Sequence, residues 1–306
     1  MLQQTRVDTV IPYYTRFLTE LPTLSELALV PENRLLKLWE GLGYYSRARN
    51  LQKAARIIME KFGGKFPDSY DDILSLPGIG EYTAGAIASI AFGQAVPAID
   101  GNVLRVICRL TGDRSDIADR KTRNAIRDML QRIYPTEHCG DFTQSLMELG
   151  ATVCLPNGPP CCRDCPLADY CTARTEGTFM EIPAKPPKKE RKIEQKTVLL
   201  LVCGDRIAIR RRAESGLLAG LWEFPLLDGH PAPGEITAFF EKTGIPVKDL
   251  RKTISAKHIF SHLEWHMNGF MAECSVRSPE FIWVTRHQLK TELALPTAFK
   301  AFRKLI

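Results

Sequence analysis

The sequence predicts a multidomain chain in which an all-α domain over residues 1–175 is joined through 176–196 to an α+β domain over 197–306. Three observations predict it. A chain of 306 residues exceeds the single core that about 150 residues usually build. Apolar residues recur at three- and four-residue steps through the first half, whereas the last third carries short apolar runs bounded by turn residues. Between these regions PAKPPKKERKIEQK, at 183–196, combines prolines with six Lys or Arg residues and reads as a linker.

In chain order, Val10, Ile11, Tyr14, Phe17 and Leu18 form a helical stripe, expected to face a core. Pro22-Thr23, Pro31-Glu32, Gly63-Gly64, Pro67-Asp68 and Pro77-Gly78 carry the stop and start chemistry that divides the region into short-linked helices. Beyond the linker, TVLLLVC and RIAIRR predict two strands around the Gly204-Asp205 turn, and WEFPLL a third. Residues 235–243 predict a helix, 258–274 hold extended pieces, and 297–305 predict a closing helix. The sequence carries no internal repeat of fixed period.

Composition narrows the class. With 44% hydrophobic and 25% charged residues, the chain can build cores and is not disordered as a whole. No apolar run approaches the roughly 20 residues of a membrane span, and MLQQTRVDTV lacks the cationic and apolar regions of a secretory signal. A soluble, cytoplasmic protein is expected. Forty-one Lys and Arg against 35 Asp and Glu leave a net charge of +6, which favours a polyanionic partner without identifying it. Five of the nine cysteines fall within 154–171, a clustering that points to metal ligands rather than a disulfide framework.

Cys154, Cys162, Cys165 and Cys171 are separated by seven, two and five residues; taking Cys161 in place of Cys162 gives six, three and five. Either set supplies four soft thiolates, which suit zinc or an iron–sulfur cluster, and spacing alone does not choose. Upstream, Leu76-Pro77-Gly78-Ile79-Gly80 separates two helical segments. Its glycines let backbone amides approach a phosphate while the next helix presents its positive end, although a bare turn of this kind is ordinarily a tight connection. Val96-Pro97-Ala98-Ile99-Asp100-Gly101-Asn102-Val103 then places an acid at the start of another helix, where capping is its plainest role.

Together, the ordered set of helix, LPGIG turn, helix, PAIDGN and cysteine cluster resembles the helix-hairpin-helix DNA glycosylases that carry a [4Fe-4S] cluster, the endonuclease III superfamily. MLQQTRV at 1–7, GLGYYSRARNL at 41–51, LPGIGEYTAGAI at 76–87 and AIDGNVLRV at 98–106 narrow the resemblance to MutY-type adenine DNA glycosylases. It covers essentially the whole chain, for GLLAGLWEFP is similar to a segment of Nudix-like folds. No R-E-x-x-E-E helix follows that segment, so pyrophosphate hydrolysis is not expected.

The resemblance implies a function and its residues. Double-stranded DNA with adenine opposite 8-oxoguanine or guanine is the expected substrate, handled in base excision repair by a monomer. Asp100 is the carboxylate expected to stabilise the oxocarbenium-like sugar, a role that suits a fixed charge beside developing positive charge. Tyr82 stands where lyase-active relatives carry a Schiff-base lysine, so a monofunctional enzyme is expected. Leu76, Gly78, Gly80 and Asn102 fall on the DNA side, Tyr44 matches an intercalating wedge, and Gln4, Thr5 and Leu42 match positions around 8-oxoguanine. Leu2, Gln144 and Met147 match the adenine pocket, and Arg47 and Arg49 are placed to meet phosphates. Phe260, Ser261 and His262 match the F-S-H loop that reads 8-oxoguanine. The cluster ligands are Cys154, Cys162, Cys165 and Cys171, with Cys162 preferred because it preserves the C-x2-C-x5-C end, although the family's first gap is six residues.

In relatives S-E-V precedes MLQQT, and its Glu protonates the departing adenine. The present chain begins at Met1, so residues 1–306 are expected to be weakly active or inactive, through a start assigned at an internal methionine or a true truncation. Three competing functions remain: a mispair-binding module without excision, an endonuclease III-like glycosylase and lyase for oxidised pyrimidines, and an unrelated zinc-bound DNA protein.

Overall fold

The computed structural model describes residues 1–306 except Gln4, 185–189, Thr243 and the side chain of Lys242. The helical part comprises α1 (Val7–Glu20), α2 (Leu24–Leu29), α3 (Glu32–Leu38), α4 (Ser46–Lys61), α5 (Tyr70–Ser75), α6 (Glu81–Phe92), α7 (Gly101–Thr111), α8 (Arg120–Ile133), α9 (Cys139–Glu148) and α10 (Thr172–Thr175). The remainder runs β1 (Lys192–Cys203), β2 (Arg206–Arg211), β3 (Trp222–Glu223), β4 (Leu226–Asp228), α11 (Pro233–Lys242), β5 (Val247–Ile259), β6 (Leu263–Cys274), β7 (Ile282–Thr285), α12 (Arg286–Thr291) and α13 (Lys300–Arg303). The chain gathers into two compact units, Met1–Arg56 with Lys189–Ile306, and Ile57–Lys188. Among the described residues no helix is long and apolar enough to cross a membrane.

In the first unit, α2 starts where the sequence says it should. Thr23 and Glu26 form a capping box, Thr23 Oγ1 accepting the Glu26 amide at 3.2 Å and the Glu26 carboxylate accepting the Thr23 amide at 3.0 Å. The α1 stripe divides, however. Val10 and Phe17 are buried with Leu35, Leu38 and Trp39, but Ile11, Tyr14 and Leu18 face solvent, at 57%, 56% and 44% exposure. One helical neighbour, α3, buries only a narrow seam of α1.

The sheet is mixed, in the order β3-β2-β1-β6-β5, with β4 also paired to β1 and β7 to β2. β1 and β6 are parallel from Lys192↔Leu263 to Val202↔Glu273, while the other pairings are antiparallel. β1 begins at Lys192, inside the basic stretch, rather than at Thr197. Its apolar run is continuous because both sheet faces are covered: Val198 and Leu200 pack with Trp265, Phe299 and Phe302, whereas Leu199 and Leu201 pack with Ile236 and Phe240 of α11. Gly269 of β6 makes room for this packing, since a Cβ there would lie 2.7 Å from the Phe302 ring.

The second unit is helical. Val103, Leu104, Ile107 and Cys108 of α7 bury against Ile126 and Leu130 of α8 and Leu146 of α9. α6 and α9 approach closely at Gly140, where a Cβ would lie 2.9 Å from the Ser89 carbonyl. Thr143 Oγ1 donates to Ser89 Oγ at 2.8 Å across the same contact. The expected order, helices first and then an α+β region around a mixed sheet, is therefore what the chain builds.

Candidate active site

Asp100 is the N-cap of α7, with extended backbone at φ −106° and ψ −178°. Its Oδ1 accepts the amides of Asn102 and Val103, both at 2.8 Å, and its Oδ2 accepts Asn102 Nδ2 at 2.9 Å. The plain capping role is thus real, and it also fixes the direction of the carboxylate. Tyr82 lies in the first turn of α6, half-buried, with its hydroxyl 3.9 Å from Met147 Sδ of α9. Burial first, and then the charge of Asp100, hold its phenol above the ordinary 10.0. Asp100, Asn102, Tyr82 and Met147 therefore share one place. Gln144 is exposed and donates to the Gly140 carbonyl of its own helix at 3.2 Å.

Behind Asp100 stands a support that the motifs did not reveal. Arg105 is 7% exposed; its Nη2 donates to Asn102 Oδ1 at 2.9 Å and to the Gly150 carbonyl at 2.6 Å, and its Nε donates to the Cys154 carbonyl at 2.8 Å. Gly150 permits this approach, because a Cβ would lie 2.5 Å from Asn102 Cβ. One turn later, buried Arg109 donates to the carbonyls of Leu155 and Ile182 at 2.8 and 2.9 Å, and to Cys154 Sγ at 3.3 Å. The available signal was two cations four residues apart in VLRVICRL, a run otherwise apolar enough to be buried.

Cys154, Cys162, Cys165 and Cys171 line one small cavity with Arg109 and Phe179, partly open to solvent. Cys161 is exposed and does not line it. Among the described residues no three His, Cys, Asp or Glu side chains converge as ligands of a single metal ion. Burial and the neighbouring Cys171, Cys154 and Cys165 push the Cys162 thiol up. Four thiols around a shared space are soft donors of the kind that zinc and iron–sulfur groups take.

The hairpin is α5, the LPGIG turn and α6. Leu76 is buried, Ile79 N donates to the Leu76 carbonyl at 3.1 Å, and Gly78 takes φ +80°. Gly78 and Gly80 are exposed, and Gly80 caps α6 without a side chain, which leaves the amide end of the helix accessible.

The remaining expected residues belong to the first unit. Tyr44 is 52% exposed at φ 47°, a conformation costly for a residue with a Cβ. Arg47 lies 5.6 Å from its ring centroid and 5.5 Å from that of Trp39, whose Nε1 donates to the Gly43 carbonyl at 3.1 Å. Leu42 is 6% exposed and packs into the hydrophobic core. Arg47 and Arg49 also have internal partners. Arg47 donates to the carbonyls of Met1 and Gln3 at 3.0 and 2.7 Å, and Arg49 pairs with Glu32 at 2.8 Å. Leu2 is exposed, the Thr5 hydroxyl donates to the Gln3 carbonyl at 3.4 Å, and Gln4 lies outside the described residues. Phe260 N donates to the Leu263 carbonyl at 2.8 Å, closing a turn that exposes Ser261 and His262, while the Phe260 ring packs edge-on to Trp265 at 5.0 Å.

Comparison with known proteins agrees with this geometry. Residues 1–132 match the HhH-GPD superfamily base excision DNA repair proteins, and residues 197–305 match the NUDIX domain. The adenine DNA glycosylase of Homo sapiens is 34% identical over 99% of this chain and 66% of its own length, so the chain spans about two thirds of that relative. The adenine DNA glycosylase of Buchnera aphidicola subsp. Baizongia pistaciae is 36% identical over 88% of this chain and 75% of its own. A thermostable thymine-DNA glycosylase structure superposes with a TM-score of 0.52 at 27% identity, covering 57% of this chain and 80% of that one. With a helical hairpin scaffold, a capped aspartate and a Nudix-like sheet in one chain, and relatives aligned along nearly all of it, this protein belongs to the adenine DNA glycosylases, a family of DNA N-glycosylases.

Proposed function

We propose that this protein excises adenine paired with 8-oxoguanine or guanine in double-stranded DNA, by hydrolysis of the N-glycosidic bond and without a lyase step. The observation that carries this reading is the fixed carboxylate of Asp100 beside the phenol of Tyr82. As the C1′–N9 bond breaks, its electron pair leaves with the base, which takes up a proton from water, and positive charge develops on the sugar. A carboxylate oriented beforehand stabilises that charge more than it stabilises the substrate. Water then adds at C1′ and releases a proton. Tyr82 offers no amine for a Schiff base, so strand cleavage does not follow.

Excision requires the adenine to leave the stack. The exposed ring of Tyr44 fits the wedge, the amide end of α6 a phosphate, Gln144 and Met147 the adenine, and Ser261 with His262 the edge of the opposite base. Cys154, Cys162, Cys165 and Cys171 would hold a [4Fe-4S] cluster, supported by their common cavity. When bound, the cluster supplies iron–thiolate cross-links to the loop that carries the Arg105 and Arg109 acceptors. We place the protein in the cytoplasm as a monomer.

Single-turnover cleavage of A:8-oxoguanine duplex, with and without borohydride, tests the reading. Free adenine with no trapped protein–DNA adduct is expected. A trapped adduct points to the endonuclease III-like alternative, and tight binding with no excision points to the mispair-binding one.

A further inference from the structure

Glu40 immediately precedes the Gly41-Leu42-Gly43-Tyr44 loop, yet its side chain serves the other end of the chain. The carboxylate is 17% exposed; Oε1 accepts the Leu295 amide at 3.0 Å and Arg303 Nη1 at 2.8 Å, and Oε2 accepts Lys37 Nζ at 2.6 Å. Lys37 extends the clasp by donating to the Leu293 carbonyl at 2.9 Å. The Glu40 backbone is held as well, since its carbonyl accepts the Tyr13 hydroxyl at 2.9 Å. Gly41 follows at φ +106°, with the Tyr13 hydroxyl only 2.2 Å from where a Cβ would sit. The loop therefore leaves a fixed point through a residue that only glycine can occupy without displacement.

A packed path reaches the same clasp from the Phe260-Ser261-His262 turn. Phe260 lies edge-on to Trp265 at 5.0 Å, and Trp265 meets Phe299 at 6.2 Å. Phe299 and Phe302 are fully buried in the turn of chain that ends in Arg303, the partner of Glu40. Close-packed side chains transmit a displacement instead of absorbing it. We propose that Glu40 is a positioning residue that couples the Phe260-Ser261-His262 turn to Tyr44, so that the base read by the turn sets the wedge. This rests on the roles given above to the turn and to Tyr44.

The experiment is a double-mutant cycle of Glu40→Gln and Phe260→Ala on the full chain. It reads dissociation constants for A:8-oxoguanine and A:G duplexes, and the fluorescence of 2-aminopurine placed beside the adenine as a report of unstacking. Glu40→Gln is expected to cut the preference for A:8-oxoguanine about 5-fold or more, to lower the unstacking signal, and to be non-additive with Phe260→Ala. A preference ratio unchanged by Glu40→Gln, or strictly additive effects, overturns the coupling and leaves Glu40 as interface cement. Arg303→Lys keeps the charge but loses the fork geometry, and serves if Glu40→Gln does not fold; an unchanged ratio there overturns the coupling equally. If Phe260→Ala alone has no effect on the ratio, the assigned role of the turn falls and takes the coupling with it. An effect of Phe260→Ala without coupling removes only the role of Glu40.

Discussion

Both carboxylate oxygens of Asp100 accept hydrogen bonds from the first turn of α7, and the Asn102 that holds one of them is itself held by buried Arg105. Tyr44, Ser261 and His262 are arranged in the opposite way. Their side chains stand in solvent and are tied only at the surface, Tyr44 by Arg47 beside its ring and Ser261 to His262 Nδ1 at 3.3 Å, over backbone held by Trp39 in one case and the Phe260 to Leu263 bond in the other. The difference follows from the two tasks. Stabilising a developing charge requires a group oriented before substrate arrives. Reading a base requires donors and acceptors that can give up local or water bonds for those of the correct partner.

The largest expected effect tests the first half of this contrast. Asp100→Asn retains an excellent capping side chain, so thermal stability should change little. Excision of adenine, measured by single-turnover kinetics in the same background, should fall by about 10²–10³-fold. Loss of fold and rate together would mean that the cap, and not the charge, is what position 100 supplies.

Arg105→Lys addresses the support behind it. An ammonium cannot reproduce the fork that spans Asn102 Oδ1, the Gly150 carbonyl and the Cys154 carbonyl. The excision rate should fall about 10-fold, the range typical of groups that orient a functional side chain, and the melting temperature should fall as well. A stable variant with unchanged rate would show that Asp100 needs only its own helix.

Local chemistry explains what could be read in the sequence. The LPGIG turn and the Asp100 cap depend on residues within a few positions of each other, so glycine placement and helix-start signals expose them. Arg105 and Arg109 could not be assigned partners, because their acceptors, at Gly150, Cys154, Leu155 and Ile182, come from distant stretches of chain. β5 was hidden for another reason. Lys248, Arg251, Lys252 and Lys257 interrupt its apolar alternation, as charges commonly do on an edge strand. Leu42 and the α1 stripe show the converse limit: motif or period marks a side chain as important without saying which surface it meets.

A smaller effect probes the reading half. Ser261→Ala removes one exposed hydroxyl, bonded only to its neighbour His262 at 3.3 Å, from a turn closed by the Phe260 to Leu263 backbone bond. Affinity for A:8-oxoguanine duplex should fall about 5-fold, the worth of one hydrogen bond near 1 kcal/mol, while stability stays within about 0.5 kcal/mol. An equal loss on A:G and undamaged duplex would assign Ser261 to the backbone and not to a base.

The smallest effect separates the scaffold of the reading half from its exposed tips. Glu194 of β1 is held below the ordinary carboxyl value of 4.5, chiefly by the hydrogen bond from Lys192 at 3.0 Å, with Lys196 and Trp265 Nε1 adding to it. A carboxyl whose pKa is lowered by folding contributes stability that is fully present above 4.5 and is lost as pH falls through the folded value. Because these cations are largely at the surface, the contribution should not exceed about 1 kcal/mol. Glu194→Gln should therefore flatten the acid limb of the stability profile, measured by denaturant unfolding between about pH 5 and pH 3, without altering the plateau slope near neutrality. Trp265 also carries the Phe260 ring, so weakening its Glu194 bond in acid should reduce discrimination between A:8-oxoguanine and A:G. Parallel acid limbs in the two proteins would place the source of acid sensitivity elsewhere, and would leave the Phe260 turn resting on packing rather than on charge.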